Sequence, residues 1–223
     1  MPDELKSIPQ VWRKAFSSPG FRMQLIVSII IGIAVYAHNF YYLRVWQARQ
    51  GVQLNDLILN QLTPYDFSWY IFALEYVTMI LAIIYILPYP DRFVKGIQAF
   101  ALFTLMRTIT IYFFVLEPPR DMIVLNDPFA NFFLHSKDVF VTKDLFFSGH
   151  IASLVLLMFL VTNKYLKSWI FVATILVGIL LLWQHVHYSL DVIFAPVVSF
   201  VSFKAVAFVH QQTKMDVALQ SQE

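Results

Sequence analysis

Two histidines and an aspartate in the second half of the chain have the residue types that nucleophilic catalysis needs. His150 follows Ser148 and Gly149, and His187 precedes Asp191 by four residues. Residues four apart lie above one another on a helix. A carboxylate so placed holds one ring nitrogen of a histidine and leaves the other free to attack. A second histidine supplies a proton to the leaving oxygen, which phosphoryl transfer requires because an alkoxide is a poor leaving group.

The same residues also have structural interpretations. His187 and Asp191 would equally form a polar pair between helices, and Asp144 would cap the helix that follows it. His185, two residues before His187, raises the alternative of a metal site. Catalytic zinc sites use three protein ligands, however, and no further histidine has a matching spacing. We therefore predict a site with no metal and no cofactor.

The composition predicts that these residues are held in a membrane. Of 223 residues, 59% are hydrophobic and 13% are charged, against about 45–50% and about 25% in soluble domains. A soluble core of this size could not cover so much apolar surface. The formal net charge of +2 gives no reason to expect a nucleic-acid partner, and the absence of cysteine excludes disulfides and thiolate catalysis.

Apolar runs of about twenty residues predict an all-α, polytopic membrane protein with six transmembrane helices. We place them near 23–43, 69–88, 95–116, 146–162, 168–186 and 190–210. This divides the chain into a cytoplasmic or interfacial segment (1–22), a transmembrane catalytic domain (23–210) and a cytoplasmic polar tail (211–223). Within the first segment, Trp12 and Phe16 recur at helical spacing and predict an interfacial helix; a frayed tail is the alternative.

The basic residues predict the orientation of the spans. With both termini inside, the inner ends carry ten lysines and arginines and the outer ends carry six. The outer six are Arg44, Arg49, Arg107, Arg120, Lys137 and Lys143. The positive-inside rule therefore predicts cytoplasmic termini. His150 and His187 would then lie at the non-cytoplasmic face, together with the loops 44–68 and 117–145.

The arrangement Ser-Gly-His, followed one hairpin later by His-Tyr-Ser-x-Asp-Val, resembles the sphingomyelin synthase family of the type-2 phosphatidate phosphatase superfamily. The third motif of that family reads Cys-Gly-Asp, three residues, then Ser-Gly-His-Thr, and its fourth reads His-Tyr-Thr-x-Asp-Val. The matching positions are Asp144, Ser148, Gly149, His150, His187, Tyr188, Asp191 and Val192. The positions that differ are Thr142, Lys143, Ile151 and, by a close substitution, Ser189.

The resemblance covers about residues 64–205 and implies roles for individual residues. His187 would be the nucleophile, Asp191 its orienting carboxylate, and His150 the general acid and then base. Arg107 stands where the family has an arginine in its third span, and Glu75 resembles a glutamate of its second span. The expected substrate-binding residues are Arg107, Glu75, Asp144, Ser148, Gly149 and Tyr188. The alternatives are that Arg107 extends to the interface and that Glu75 is a buried structural residue.

A departure from the wider phosphatase pattern bears on the substrate. Those enzymes have an arginine six residues before the nucleophilic histidine and a Lys/Arg-Pro element upstream, whereas here Leu181 stands at the first position and no Arg-Pro occurs. A dianionic phosphate monoester needs strong cationic contacts, so the pattern favours a phosphodiester lipid.

We therefore expect a lipid phosphotransferase that moves a phospho-head-group from a phospholipid donor to a lipid alcohol such as ceramide, or to water, through a phosphohistidine. The expected fold is a type-2 phosphatidate phosphatase-like bundle. A lipid phosphate phosphatase is the alternative enzyme. A non-catalytic scaffold or a small transporter is the alternative from another class, although a transporter should show two related halves.

Overall fold

The computed structural model describes residues 7–127 and 142–220, and its regular structure there is helical. Seven α-helices and one 3-10 turn occur in these ranges, which confirms the all-α prediction for them. They are α1 (Ile8–Ser17), α2 (Pro19–Gln47), the 3-10 turn Leu59–Gln61, α3 (Ser68–Ile86), α4 (Pro90–Phe113), α5 (Gly149–Leu160), α6 (Lys164–Trp183) and α7 (Ser189–Gln220). The predicted outer residue Lys137 lies outside the described ranges, as does part of the loop 117–145.

Among the described residues, five helices are long and apolar enough to cross a membrane, in keeping with a multi-pass membrane protein. They are α2, α3, α4, α6 and α7. The span predicted at 146–162 instead contains α5, which has twelve residues and is therefore about 18 Å long, short of the about 30 Å of a hydrocarbon core. The prediction of six spans is thus not confirmed.

The shortness of α5 has a local cause at each end. Phe146 has a φ of 100°, which breaks any helix, and the Ser148 side chain then caps α5 by accepting from the Ile151 amide at 3.5 Å. After Leu160 the chain turns at once, and the side chain of Asn163 caps α6. Residues that the hydropathy pattern assigned to a span therefore form the two turns around it.

α5 lies at the centre of the bundle, where it contacts α3, α4, α6 and α7. Small residues let the neighbouring helices approach closely. A β-carbon on Gly96 of α4 would lie 2.9 Å from a Leu160 methyl group, and one on Gly178 of α6 would lie 3.3 Å from Val192. Close packing of this kind is what holds helices together in lipid, where burial of apolar surface gives no driving force.

Because successive spans alternate in direction, the starts of α3, α5 and α7 share one face of the bundle with the ends of α2, α4 and α6. Contacts between loops support this arrangement: Val52 bridges to Leu116, and the Ser148 amide donates to the Asp191 carbonyl at 3.0 Å. We call this side the site face. Both predicted catalytic histidines lie near it.

The opposite face carries the N-terminal helix. α1 is helical over Ile8–Ser17, as the periodicity predicted, and the indole Nε1 of Trp12 donates to the Leu87 carbonyl at 2.8 Å. The Trp12 ring also packs against Phe93, with ring centroids 5.5 Å apart. α7 continues as far as Gln220, so the polar tail is helical up to that residue. The membrane position of both segments stays a prediction.

Candidate functional site

His187 and Asp191 are brought together by the turn between α6 and α7. The His187 Nδ1 lies 3.1 Å from the Asp191 Oδ2, and both side chains are buried. The carboxylate also accepts from the amides of Tyr188 at 3.1 Å and of Phe146 at 3.2 Å. Because a carboxylate only accepts, the imidazole must donate from Nδ1, which leaves the lone pair of Nε2 available.

His150 has a carboxylate partner of its own. Its Nδ1 lies 2.7 Å from the Oε2 of Glu75, which projects from α3. Glu75, expected among the substrate-binding residues, thus stands to His150 as Asp191 stands to His187. The two imidazole centroids are 6.3 Å apart and the rings are inclined by 69°. The structure therefore places two histidine–carboxylate pairs side by side.

The two histidines differ in their access to the surroundings. The His150 side chain is 25% exposed, whereas that of His187 is 4% exposed. Burial lowers the pKa of His187, and the hydrogen bond and charge of Asp191 act in the opposite sense. His187 is therefore favoured as a neutral base at neutral pH.

Arg107 of α4 lies beside His150. Its Nη2 donates to the Asp144 carbonyl at 3.0 Å, and its Nε forms an ion pair with the Asp144 carboxylate at 2.9 Å. The guanidinium crosses the first residue of α5, so a β-carbon built on Gly149 would collide with Nη1. The predicted residues Arg107, Asp144 and Gly149 thus form one contact set. Together with the positive N-terminal end of α5, Arg107 provides a place for anionic oxygen.

Two further residues expected to bind substrate are engaged within the protein. The Ser148 hydroxyl caps α5, while the Ser148 amide donates to the Asp191 carbonyl. The buried hydroxyl of Tyr188 donates to the Glu117 carbonyl at 2.9 Å and accepts from the Leu54 amide at 3.2 Å. Both residues join the loops of the site face to each other.

Lys143 and His185 are engaged away from this constellation. Lys143 binds Glu117 and the Arg49 carbonyl, at 2.8 Å and 2.6 Å. The His185 Nδ1 lies 2.8 Å from the Arg120 carbonyl, so His185 is not paired with His187. Within 7–127 and 142–220, no three His, Cys, Asp or Glu side chains are grouped as metal ligands.

The structure adds two residues that the sequence did not single out. Asp56, in the loop between α2 and α3, accepts from the backbone and side chain of Ser189 at 2.6 Å and 3.0 Å. Gln184, fully buried at the end of α6, binds the Phe67 amide at 2.8 Å and the Ser68 hydroxyl at 2.9 Å. Gln184 could have been identified from the sequence, because a glutamine directly after an apolar helix is unusual. No local feature of the sequence identifies Asp56.

Comparison with known families is consistent with this geometry. Residues 143–208 match the family described as PAP2 superfamily C-terminal. The match covers under a third of the chain but includes both histidine motifs. It supports the type-2 phosphatidate phosphatase superfamily, whose members are phosphatases and phosphotransferases, without distinguishing a subfamily. No curated protein matches the chain.

Proposed function

We propose that the chain is an integral-membrane lipid phosphotransferase that moves a phospho-head-group from a phospholipid to a lipid alcohol resembling ceramide, or to water. The observation that carries the proposal is the pair of facing histidine–carboxylate units. Each carboxylate occupies Nδ1, so each imidazole has its Nε2 free for chemistry. With the ring centroids 6.3 Å apart, one phosphoryl group can contact both.

In the first step, the Nε2 lone pair of His187 attacks phosphorus and forms an N–P bond. The bond from phosphorus to the lipid oxygen breaks, and its electron pair stays on that oxygen. The leaving oxygen takes the proton from Nε2 of His150. Asp191 stabilises the positive charge on the His187 ring, and Glu75 holds His150 in the orientation for donation.

In the second step, His150 is neutral and accepts the proton of the incoming hydroxyl group. The hydroxyl oxygen then attacks phosphorus, the N–P bond breaks, and its electron pair returns to His187. Arg107 and the start of α5 stabilise the negative charge on the phosphoryl oxygens in both steps. The roles of His150 as acid and then base follow from the symmetry of the two steps.

The alternative enzyme, a lipid phosphate phosphatase, would use the same intermediate with water as acceptor and a monoester as donor. The charges of the described site favour a diester instead. The ion pair with Asp144 partly neutralises Arg107. Leu181, six residues before His187, is fully buried in the apolar core and leaves no place there for a cation.

Trapping of the phosphoenzyme tests the proposal. Detergent-purified protein is mixed with phosphatidylcholine labelled at phosphorus and quenched in base, which preserves phosphohistidine, or in acid, which destroys it. We expect base-stable, acid-labile label on the wild-type chain and none on His187→Ala. Adding ceramide should release the label as a new phospholipid.

A parallel assay with labelled phosphatidic acid separates the two enzyme candidates, because a phosphatase would turn over that substrate. Asn163→Ala, which removes the cap of α6 at the opposite face, is the control for nonspecific destabilisation. Absence of label from both substrates, in protein that is folded, would contradict enzymatic function through His187.

A further inference from the structure

Asp56 joins the loop between α2 and α3 to the turn that bears His187. Its Oδ2 accepts from the Ser189 amide at 2.6 Å and its Oδ1 from the Ser189 hydroxyl at 3.0 Å. The same carboxylate accepts from the amides of Ile58 and Leu59 at 2.9 Å and 3.3 Å. One side chain thus ties a distant loop to the first residue of α7.

The loop reaches the same turn through apolar contacts. Leu59, Leu145 and Tyr188 form a buried cluster on the site face. Leu54 packs against this cluster, and its amide donates to the Tyr188 hydroxyl at 3.2 Å. We call residues 51–61 the roof, because Leu54 and Asp56 within them bind Tyr188 and Ser189, the two residues that follow His187.

His187 is less exposed than His150, which is the difference expected if the roof covers His187. His187 lies beyond the last residue of α6, at an end of the bundle where loops meet, yet its side chain is 4% exposed. His150, the second residue of α5, lies near the same face and is 25% exposed. Among the described residues, the roof contacts both neighbours that follow His187, namely Tyr188 and Ser189.

We propose that Asp56 is a positioning residue that holds the roof over His187 and so excludes water from the phosphohistidine. The inference rests on the proposed function and extends it to acceptor choice. In hydrolysis, a water oxygen would bond to phosphorus, the N–P bond would break, and His150 would take the proton. A roof held in place disfavours this reaction and leaves the phosphoryl group for a lipid hydroxyl.

The access of reagent to His187 tests the roof without any substrate. Full-length protein in detergent is treated with diethyl pyrocarbonate, which modifies accessible neutral imidazoles, and modification of each histidine is followed by peptide mass spectrometry. We expect Asp56→Ala to raise the modification rate of His187 by about fivefold or more, because the local opening becomes easier. Asn163→Ala should leave it unchanged. Equal rates in Asp56→Ala and wild type would overturn the proposal.

A second variant covers the case in which Asp56→Ala does not fold. Asp56→Asn keeps the size of the side chain and one acceptor oxygen but replaces the other oxygen by a donor. The variant therefore loses either the three hydrogen bonds accepted by Oδ1 or the one accepted by Oδ2. The modification rate of His187 should then lie between those of the wild type and a fully opened site. An Asp56→Asn protein with wild-type His187 reactivity would also count against the roof.

Product partition tests the consequence for chemistry. With phosphatidylcholine labelled in its head group and ceramide as acceptor, we expect Asp56→Ala to increase the ratio of hydrolysis to transfer several-fold. If the wild type transfers and the ratio is unchanged, or both products fall equally, the inference is wrong while the proposed function stands. If the wild type forms neither product, the proposed function fails, and the reactivity of His187 alone decides on the roof.

Discussion

Gly149 lies directly beneath the guanidinium of Arg107, with no space between them for a β-carbon. Gly149→Ala should therefore displace Arg107 from Asp144 and His150. Alanine is favoured over glycine within a helix by about 1 kcal/mol, so we expect a stable protein with reduced turnover. A loss of tenfold or more in kcat/KM, about 1.4 kcal/mol, should accompany an unchanged melting temperature.

Two comparisons make this prediction specific. A β-carbon on Gly32 would meet Ile97 at an ordinary 3.7 Å, so Gly32→Ala should have wild-type activity. In an Arg107→Ala background, Gly149→Ala should cost little more, because the displaced group is already gone. Additive losses in the double variant would show that Gly149 acts independently of Arg107.

Glu75→Gln should impair protonation of the leaving group. Glutamine keeps an acceptor for the His150 Nδ1 but loses the charge that stabilises the imidazolium. We expect kcat to fall by about a hundredfold with a lipid alcohol as leaving group, within the range of general acid catalysis. With a p-nitrophenyl diester, whose leaving group needs no proton, the loss should be much smaller. An equal loss on both substrates would point to a structural role for Glu75.

The pH dependence of kcat/KM should report the protonation of His187. Burial lowers its pKa below the ordinary value of about 6.5, and a protonated ring cannot attack. The acid limb of the profile should therefore lie below pH 6.5: kcat/KM should fall only when the pH drops through the lowered pKa of His187. Asp191 raises this pKa, so Asp191→Asn should be slower and have its acid limb at lower pH. A diester is the right substrate, because it does not titrate in this range.

The sequence singled out the residues that the structure groups together, but it did not reveal the contacts that support them. His150, His187 and Asp191 were identifiable because charged and polar groups inside a membrane are costly and usually functional. The pairing of Glu75 with His150 depends on how α3 packs against α5, which a single sequence does not determine. Asp56 lies 133 positions from Ser189 along the chain, and its contact follows from the folding of a loop without periodicity.

The length of α5 shows a second limit of prediction from the sequence. Hydropathy predicts a span wherever apolar residues are continuous, and it does not register the capping that begins a helix at Gly149 or ends it at Leu160. The other five predicted spans overlap helices that are long and apolar enough to cross a membrane, although α2 and α7 extend beyond the apolar runs that predicted them, to Gln47 and Gln220. The boundaries were less accurate for α2, which begins at Pro19, and α4, which begins at Pro90.

Cysteine labelling tests the orientation, because the native chain contains no cysteine. Leu57 is exposed on the site face, and Tyr165 is exposed at the opposite face. Ten basic residues against six predict that the site face is non-cytoplasmic. Leu57→Cys should therefore react with an impermeant maleimide in intact cells, and Tyr165→Cys only after permeabilisation. The opposite pattern would place the active site in the cytoplasm.

The enzyme should prefer phosphodiester lipids to phosphate monoesters such as phosphatidic acid. Arg107 shares its charge with Asp144, and the buried Leu181 occupies the position of a second cation. A monoester carries up to two negative charges at neutral pH, and each unpaired charge in a buried site costs several kcal/mol. A zwitterionic diester brings its own positive charge. We expect at least a tenfold preference in kcat/KM, about 1.4 kcal/mol, in matched mixed micelles.

Asp144→Asn provides the internal comparison for this preference. Removing the carboxylate frees the charge of Arg107, so the variant should gain relative activity on phosphatidic acid, while Arg107→Ala should lose activity on both substrates. The ratio of the two kcat/KM values is informative because it depends on differences in transition-state binding and not on the amount of active protein. If the wild type turns over phosphatidic acid at least tenfold faster than every diester tested, the phosphatase alternative is established. In that case a residue other than Arg107 must supply the cation that balances the second charge of the monoester. Lys143, which is bound to Glu117 in this structure, would be the first residue to mutate in a search for that cation.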